Sequence, residues 1–178
     1  MIGETGRGSL EQFGLTPTQV PALVGTFGKA FGTFGAFVAG SEDLIETLIQ
    51  RARTYIYTTA LPPAVAAATR AALVVSIAEP WRRERVLALT RRFRELATAA
   101  GIKLGPSETP IQPILLGSAE AAMRASNALL ERGFFVAAIR PPTVPADTSR
   151  LRITLSTAHR DAEVEGLVAA LADVVSPE

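Results

Sequence analysis

Prolines at 62, 63 and 80 bracket one alanine-rich stretch and divide the chain into a part before it and a part after it. Pro62-Pro63 can open a helix, because the first turn leaves its N–H groups unpaired and proline lacks only that donor. Pro80 breaks the pattern at the other end. The stretch is predicted as a helix running to about Glu79, with Ala64 to Ala78 buried. Arg70 interrupts it, and it is too short to cross a bilayer comfortably. The expected organisation is a first piece over 1–60, a linking helix over 61–80 and a small domain over 81–178.

Before the prolines, Gly3, Gly6, Gly8 and Gly14 among polar residues favour an ordered loop or turn. Val20–Val24 reads as a short buried strand, Gly25–Gly35 as a glycine-rich connection and Ala36–Ala39 as a second strand. Ser41 suits an N-cap and Glu42 and Asp43 the positive end of a helix. Leu44, Ile45, Leu48, Ile49 and Ala52 share a face, which predicts a helix over about 41–53. This first piece is an incomplete α/β unit.

After the prolines, Val86, Leu89, Phe93 and Leu96 recur at helical spacing from Trp81 to near Gly101, with the arginines outward as a solvated face. Then come a strand over Ile111–Leu116, a helix over Ser118–Arg132 stopped by Gly133, strands over Phe134–Ile139 and Leu151–Ser156, and a helix over Asp161–Val174. These strands can pair in one sheet, which makes a small α+β domain.

Eighteen basic and seventeen acidic residues give a net charge of +1 without a basic run, so neither nucleic acid nor a membrane surface is expected as a partner. The chain has no cysteine, which excludes disulfides, thiolate metal sites and cysteine nucleophiles and fits a cytoplasmic setting. No metal site is expected. The segment MIGETGRGSLEQFG has no apolar core flanked by positive charge, so it does not read as a signal peptide.

The chemistry concentrates in Gly25-Thr26-Phe27-Gly28-Lys29-Ala30-Phe31-Gly32, which sets one lysine in a tight turn with glycines on both sides. A lysine amine can form a Schiff base with an aldehyde, and the same turn offers Thr26 and backbone N–H groups to a phosphate. A nucleotide phosphate loop would need glycine at 23 and a hydroxyl at 30, where Leu23 and Ala30 stand. On spacing alone Lys29 serves equally well as a surface lysine between two strands. Arg140 offers a planar fork for a carboxylate, or it pairs a surface acid at a strand end. The Pro141-Pro142 pair after it favours a positioned group. His159, the only histidine, reads as structural.

The string Gly25 to Gly32, followed by Gly35-Ala36, resembles the Schiff-base lysine motif of the PLP-dependent α-oxoamine synthases. Gly3 to Ser9 resembles the glycine-rich loop that follows their Asp-x-Ala-His motif. Tyr57-Thr58-Thr59 before Leu61-Pro62-Pro63 resembles their segment that reaches the neighbouring subunit's phosphate. Ile139-Arg140-Pro141-Pro142-Thr143-Val144-Pro145, then Arg150 to Ser156 and His159, resembles their small-domain signature, in the form of the branch that uses a pimeloyl donor. The resemblance is collinear along essentially the whole chain.

That resemblance implies the C-terminal part of a fold-type I PLP-dependent transferase, with an incomplete large domain and an α+β small domain. It implies pyridoxal 5'-phosphate held by Lys29, with Thr26 on its phosphate and Thr59 reaching the partner's phosphate in a homodimer. Arg140 would grip the carboxylate of L-alanine, and Thr143 would shape that pocket. The implied reaction condenses L-alanine with a pimeloyl thioester, on CoA or acyl carrier protein, to give 8-amino-7-oxononanoate for biotin biosynthesis. The family's pyridinium carboxylate and ring-stacking histidine match no residue here and are expected in an N-terminal half that precedes the equivalent of Ile2. An inactive fragment is the corresponding expectation. A binding or dimerisation module, or a synthase with another acyl donor, are the alternatives.

Overall fold

The computed structural model describes residues 3–175. The chain divides into two units, the first ending at Trp81 and the second beginning at Arg82.

In the first unit the glycine-rich loop after Gly3 is ordered by one carboxylate. Glu11, in the single turn α1 (Ser9–Gln12), accepts from Thr5 N at 3.0 Å, Thr5 Oγ1 at 2.6 Å and Arg7 N at 3.1 Å. Strands β1 (Ala22–Thr26) and β2 (Ala36–Gly40) pair antiparallel, with Ala22 opposite Gly40 and Thr26 opposite Ala36. The strand expected over Val20–Val24 thus lies two residues later, and it is not buried, since Val24 is 67% exposed. The hairpin sets that register, because Phe27 N donates to Gly35 O at 2.9 Å and carries the ladder as far as Thr26.

Helix α2 (Glu42–Arg51) is capped as the sequence predicts, with Ser41 Oγ accepting from Leu44 N at 3.3 Å. The chain turns extended at Ala52, with ψ 104°, so the helix expected over 41–53 stops there and a short α3 (Arg53–Ile56) follows. Helix α4 (Pro63–Ala78) starts at the prolines, but the expectation that it is buried fails. Thr69 is its one buried residue, and Val74 and Ile77 are 65% and 77% exposed. Alanine's helix propensity and a proline in the first turn favour this helix locally.

The second unit holds α5 (Trp81–Ala99) from its second residue on, β3 (Ile111–Gly117), α6 (Ala119–Glu131), β4 (Ala137–Ile139), β5 (Ser149–Thr154) and α7 (Asp161–Val175). The three strands form one antiparallel sheet in the order β3-β5-β4, as a small α+β domain requires. Its core joins Leu89, Phe93 and Ala97 of α5 to Leu129 of α6, Ile114, Leu151 and Ile153 of the sheet, and Val168 and Leu171 of α7. Burial at this spacing on each helix is the main stabilising term.

Two expectations are corrected here. The strand predicted from Phe134 begins at Ala137, because Phe134 N closes the end of α6 on Leu129 O at 2.9 Å. Gly133, at φ 87°, makes that reversal possible, a left-handed cap that a side chain would strain. The arginines of α5 do not all face outward. Arg94 turns in and donates to Gly105 O, Ser107 O and the side-chain oxygen of Gln112, at 3.1, 2.6 and 2.8 Å. Arg85 and Arg92 do pair outward, with Asp161 and Glu165 of α7.

Candidate functional site

The first candidate site is the loop that joins β1 to β2. β1 ends on Thr26, whose side chain is exposed, and three residues later Lys29 stands exposed at the loop. The Lys29 amine makes no hydrogen bond or ion pair among the described residues. Its backbone is held closely. Gly32 N donates to Lys29 O at 2.9 Å, Thr33 N to Phe27 O at 3.0 Å and Phe27 N to Gly35 O at 2.9 Å.

Below the loop, the Phe27 ring lies edge-on to Phe31 at 5.7 Å and tilted against Phe37 at 5.3 Å. A Cβ at Gly25 would collide with the Phe37 ring, and one at Gly35 would lie 3.0 Å from Leu61 Cδ1. The glycines therefore let a compact aromatic base form under an open tip. Gly28 has only Thr33 O within reach of a Cβ, at 3.7 Å, so the face beside Lys29 is open.

Thr59 is exposed two residues before Leu61, whose side chain abuts Gly35. The sequence-predicted residues Thr26, Lys29 and Thr59 thus belong to one hairpin and the segment packed on it. Thr33 and Thr69 were not legible as part of this arrangement. Their hydroxyl oxygens lie 2.9 Å apart and tie the loop to α4. A threonine hydroxyl among the alanines of the first half of α4 was the signal that could have pointed to Thr69.

The second candidate lies in the second unit, at the turn after β4. Thr143 N donates to Arg140 O at 3.1 Å and closes the turn over Pro141 and Pro142, joined by a cis peptide bond. Arg140 and Thr143 are therefore brought together, and both are exposed. The Arg140 guanidinium has no hydrogen-bond or ion-pair partner among the described residues. His159 has a local role: Nδ1 accepts from Ser156 N at 3.1 Å, and its carbonyl accepts from Arg85 at 3.3 Å.

The model of the aminotransferase class I and II family matches residues 3–171. Among curated relatives, the 8-amino-7-oxononanoate synthase of Methylococcus capsulatus is 60% identical over 178 residues, 100% of this chain and 46% of the relative. That of Saccharophagus degradans is 59% identical over 174 residues, 98% of this chain and 44% of the relative. The solved 8-amino-7-oxononanoate synthase of Francisella tularensis superposes with a TM-score of 0.87 at 32% identity, over 97% of this chain and 51% of that one. Serine palmitoyltransferase from S. paucimobilis, solved with a bound PLP-myriocin aldimine, gives 0.89 at 30% identity over 98% of this chain and 44% of that one. The chain spans about half the length of the curated relatives it matches. The match covers most of both units, and the chain belongs to the aminotransferase class I and II family.

Proposed function

We propose that this chain carries the lysine loop and the carboxylate-binding turn of a PLP-dependent acyltransferase. The reaction condenses L-alanine with a pimeloyl thioester, on CoA or acyl carrier protein, and releases carbon dioxide, the free thiol and 8-amino-7-oxononanoate, a step of biotin biosynthesis. One observation carries the reading: the Lys29 amine stands exposed and unpaired among the described residues on a hairpin tip that glycines keep open. Identity near 60% to synthases of that name supports the choice of substrates.

The residues fit pyridoxal phosphate by their chemistry. Lys29 supplies a primary amine for its aldehyde carbon, and Thr26, the last residue of β1, supplies a hydroxyl for its phosphate. Thr59 reaches the phosphate of the partner in a cytoplasmic homodimer. When bound, the cofactor supplies an electron sink for the pair left on the amino acid's α-carbon.

Lys29 Nζ would remove the α-proton and hold it, a general-base role that needs an amine unoccupied by an ion pair. Arg140 binds the alanine carboxylate through its planar fork, which a lysine could not match in geometry. Its guanidinium is free for this among the described residues, and the Thr143 N–Arg140 O hydrogen bond closes the backbone of the turn that carries both residues.

The test is incubation of the chain with PLP, with visible spectra before and after borohydride, beside Lys29→Ala. A reducible band that needs Lys29 is the expected result, and a band of equal size in Lys29→Ala would overturn the assignment. Turnover of acetyl, succinyl and pimeloyl thioesters by a protein of the relatives' length then tests the donor, and preference for a short chain would overturn the pimeloyl reading.

A further inference from the structure

Thr69 is the one buried residue of α4, at 8% exposure, on a helix whose apolar side chains are largely open to solvent. Its Oγ1 lies 2.9 Å from Val65 O one turn back and 2.9 Å from Thr33 Oγ1. Thr33 Oγ1 has a second neighbour, Phe27 O, at 3.4 Å, a carbonyl that already accepts from Thr33 N at 3.0 Å. Each hydroxyl has a single proton to give. The two short distances therefore define the direction of the chain: Thr33 donates to Thr69, and Thr69 donates to Val65 O, while the long contact to Phe27 O contributes little.

This pair joins the return limb of the lysine loop to a rigid helix. Thr33 is bound to Phe27 through its amide, and Phe27 in turn to Gly35, so Thr33 is part of the ring of hydrogen bonds that encloses Lys29. Leu61, which leads into α4, rests on Gly35 at the other side of the same limb. Fixing Thr33 against α4 leaves the backbone of Lys29 little freedom to tilt, while its side chain stays open.

We infer that Thr33 and Thr69 form a hydroxyl clamp that positions Lys29 for the cofactor's aldehyde. Thr69 is a positioning residue: it acts through Thr33 and touches neither substrate nor cofactor. The inference rests on the reading of Lys29 as the cofactor lysine. It predicts a specific pattern of substitution. A single valine leaves one hydroxyl facing a methyl, whereas two valines replace the pair by an apolar contact of nearly the same shape, which can be close to neutral.

The experiment compares the full chain with Thr33→Val, Thr69→Val and the double variant by two readouts. The first is hydrogen exchange at the amides of Phe27, Gly32 and Thr33. The second is the PLP concentration that gives half-maximal trapping at Lys29 by borohydride, read by peptide mass. Each single variant is expected to speed loop exchange about tenfold, the scale of one hydrogen bond, and to raise the half-saturating concentration several-fold. Exchange in α5 to α7 is expected not to change, and the double variant to return to within about twofold of the parent on both readouts.

Single variants that leave loop exchange and trapping unchanged would overturn the clamp. So would loosening spread evenly through the first unit, or a double variant as impaired as the product of the singles, since either marks a role in fold stability alone. Absence of Lys29 trapping in the parent would refute the cofactor reading instead. The clamp would then be judged on exchange: loosening confined to the loop supports it, and none overturns it.

Discussion

Arg94 Nη1 donates to Gln112 Oε1 at 2.8 Å, joining the second half of α5 to the start of β3 in the second unit. Gln112 is 1% exposed, and its amide nitrogen donates to Ser107 O and Thr109 O, each at 2.7 Å. Arg94 supplies donors to the same loop at Gly105 O and Ser107 O. One guanidinium and one amide therefore satisfy the carbonyls of Gly105, Ser107 and Thr109 in a connection that has no regular structure of its own.

Arg94→Leu is accordingly expected to lower the stability of the second unit by about 1–3 kcal/mol, because it leaves the buried Gln112 Oε1 and the half-buried Gly105 O without this donor. Arg91→Leu, one turn position away and exposed, is expected to stay within about 0.5 kcal/mol. Urea denaturation followed by far-UV circular dichroism checks both. Equal midpoints for the two variants would show that the Arg94 contacts are not stabilising.

The two glycines that flank the lysine tip are expected to respond oppositely. Gly35 has φ 105°, and an added Cβ would lie 3.0 Å from Leu61, so Gly35→Ala strains both backbone and packing and is expected to cost about 1–2 kcal/mol. Gly28 has no such φ and open space around it, so Gly28→Ala is expected to be neutral or slightly stabilising through the unfolded chain. Thermal midpoints of the two variants decide this, and a larger loss for Gly28→Ala would contradict it.

The N-terminal end of α7 sets an acid limit on the second unit. The hydrogen bond from the Arg85 side chain, aided by its charge, holds the Asp161 carboxyl below its ordinary value. Glu163 is lowered by hydrogen bonds from the Arg160 backbone and side chain. A carboxyl depressed in the folded state contributes stability above its unfolded pKa and loses it as pH falls through the folded one. The loss should therefore begin below about pH 4–5 and grow toward lower pH. Urea midpoints measured from pH 6 to pH 3 are expected to fall more steeply for the parent than for Asp161→Asn with Glu163→Gln. Parallel slopes would exclude these two carboxyls as the source.

Much of this architecture was legible because local signals agreed with the fold. Ser41 and Ser118 cap their helices through side-chain oxygens, and Gly101 and Gly133 end theirs, all as sequence rules require. The turns that carry Lys29 and Arg140 were legible from their glycines and prolines, and both side chains are exposed there. What could not be read was decided by contacts distant in sequence. Val24 and Ile77 look like core residues in an apolar pattern, yet periodicity does not report whether a covering layer is present. Arg94 looks like its outward neighbours until the carbonyls of the loop at 105–107 are known. The Thr33–Thr69 pair spans 36 positions, beyond any local pattern.

Ser149 offers the last expectation. It is 1% exposed, its Oγ has no hydrogen-bond partner among the described residues, and it pairs with Gly117 at the irregular end of the β3–β5 ladder. A buried hydroxyl without a partner carries an uncompensated desolvation cost of about 1–3 kcal/mol, whereas the methyl of alanine carries none. Removing the oxygen leaves only a small void, which offsets part of that gain. Ser149→Ala is therefore expected to raise stability by about 0.5–1 kcal/mol, while Ser126→Ala, which removes a donor to Val136 O at 2.6 Å, is expected to lower it by about 1 kcal/mol. Denaturation midpoints of the two variants measured side by side make the comparison, and a loss of stability in Ser149→Ala would mean that its hydroxyl is satisfied in solution, most simply by a bound water.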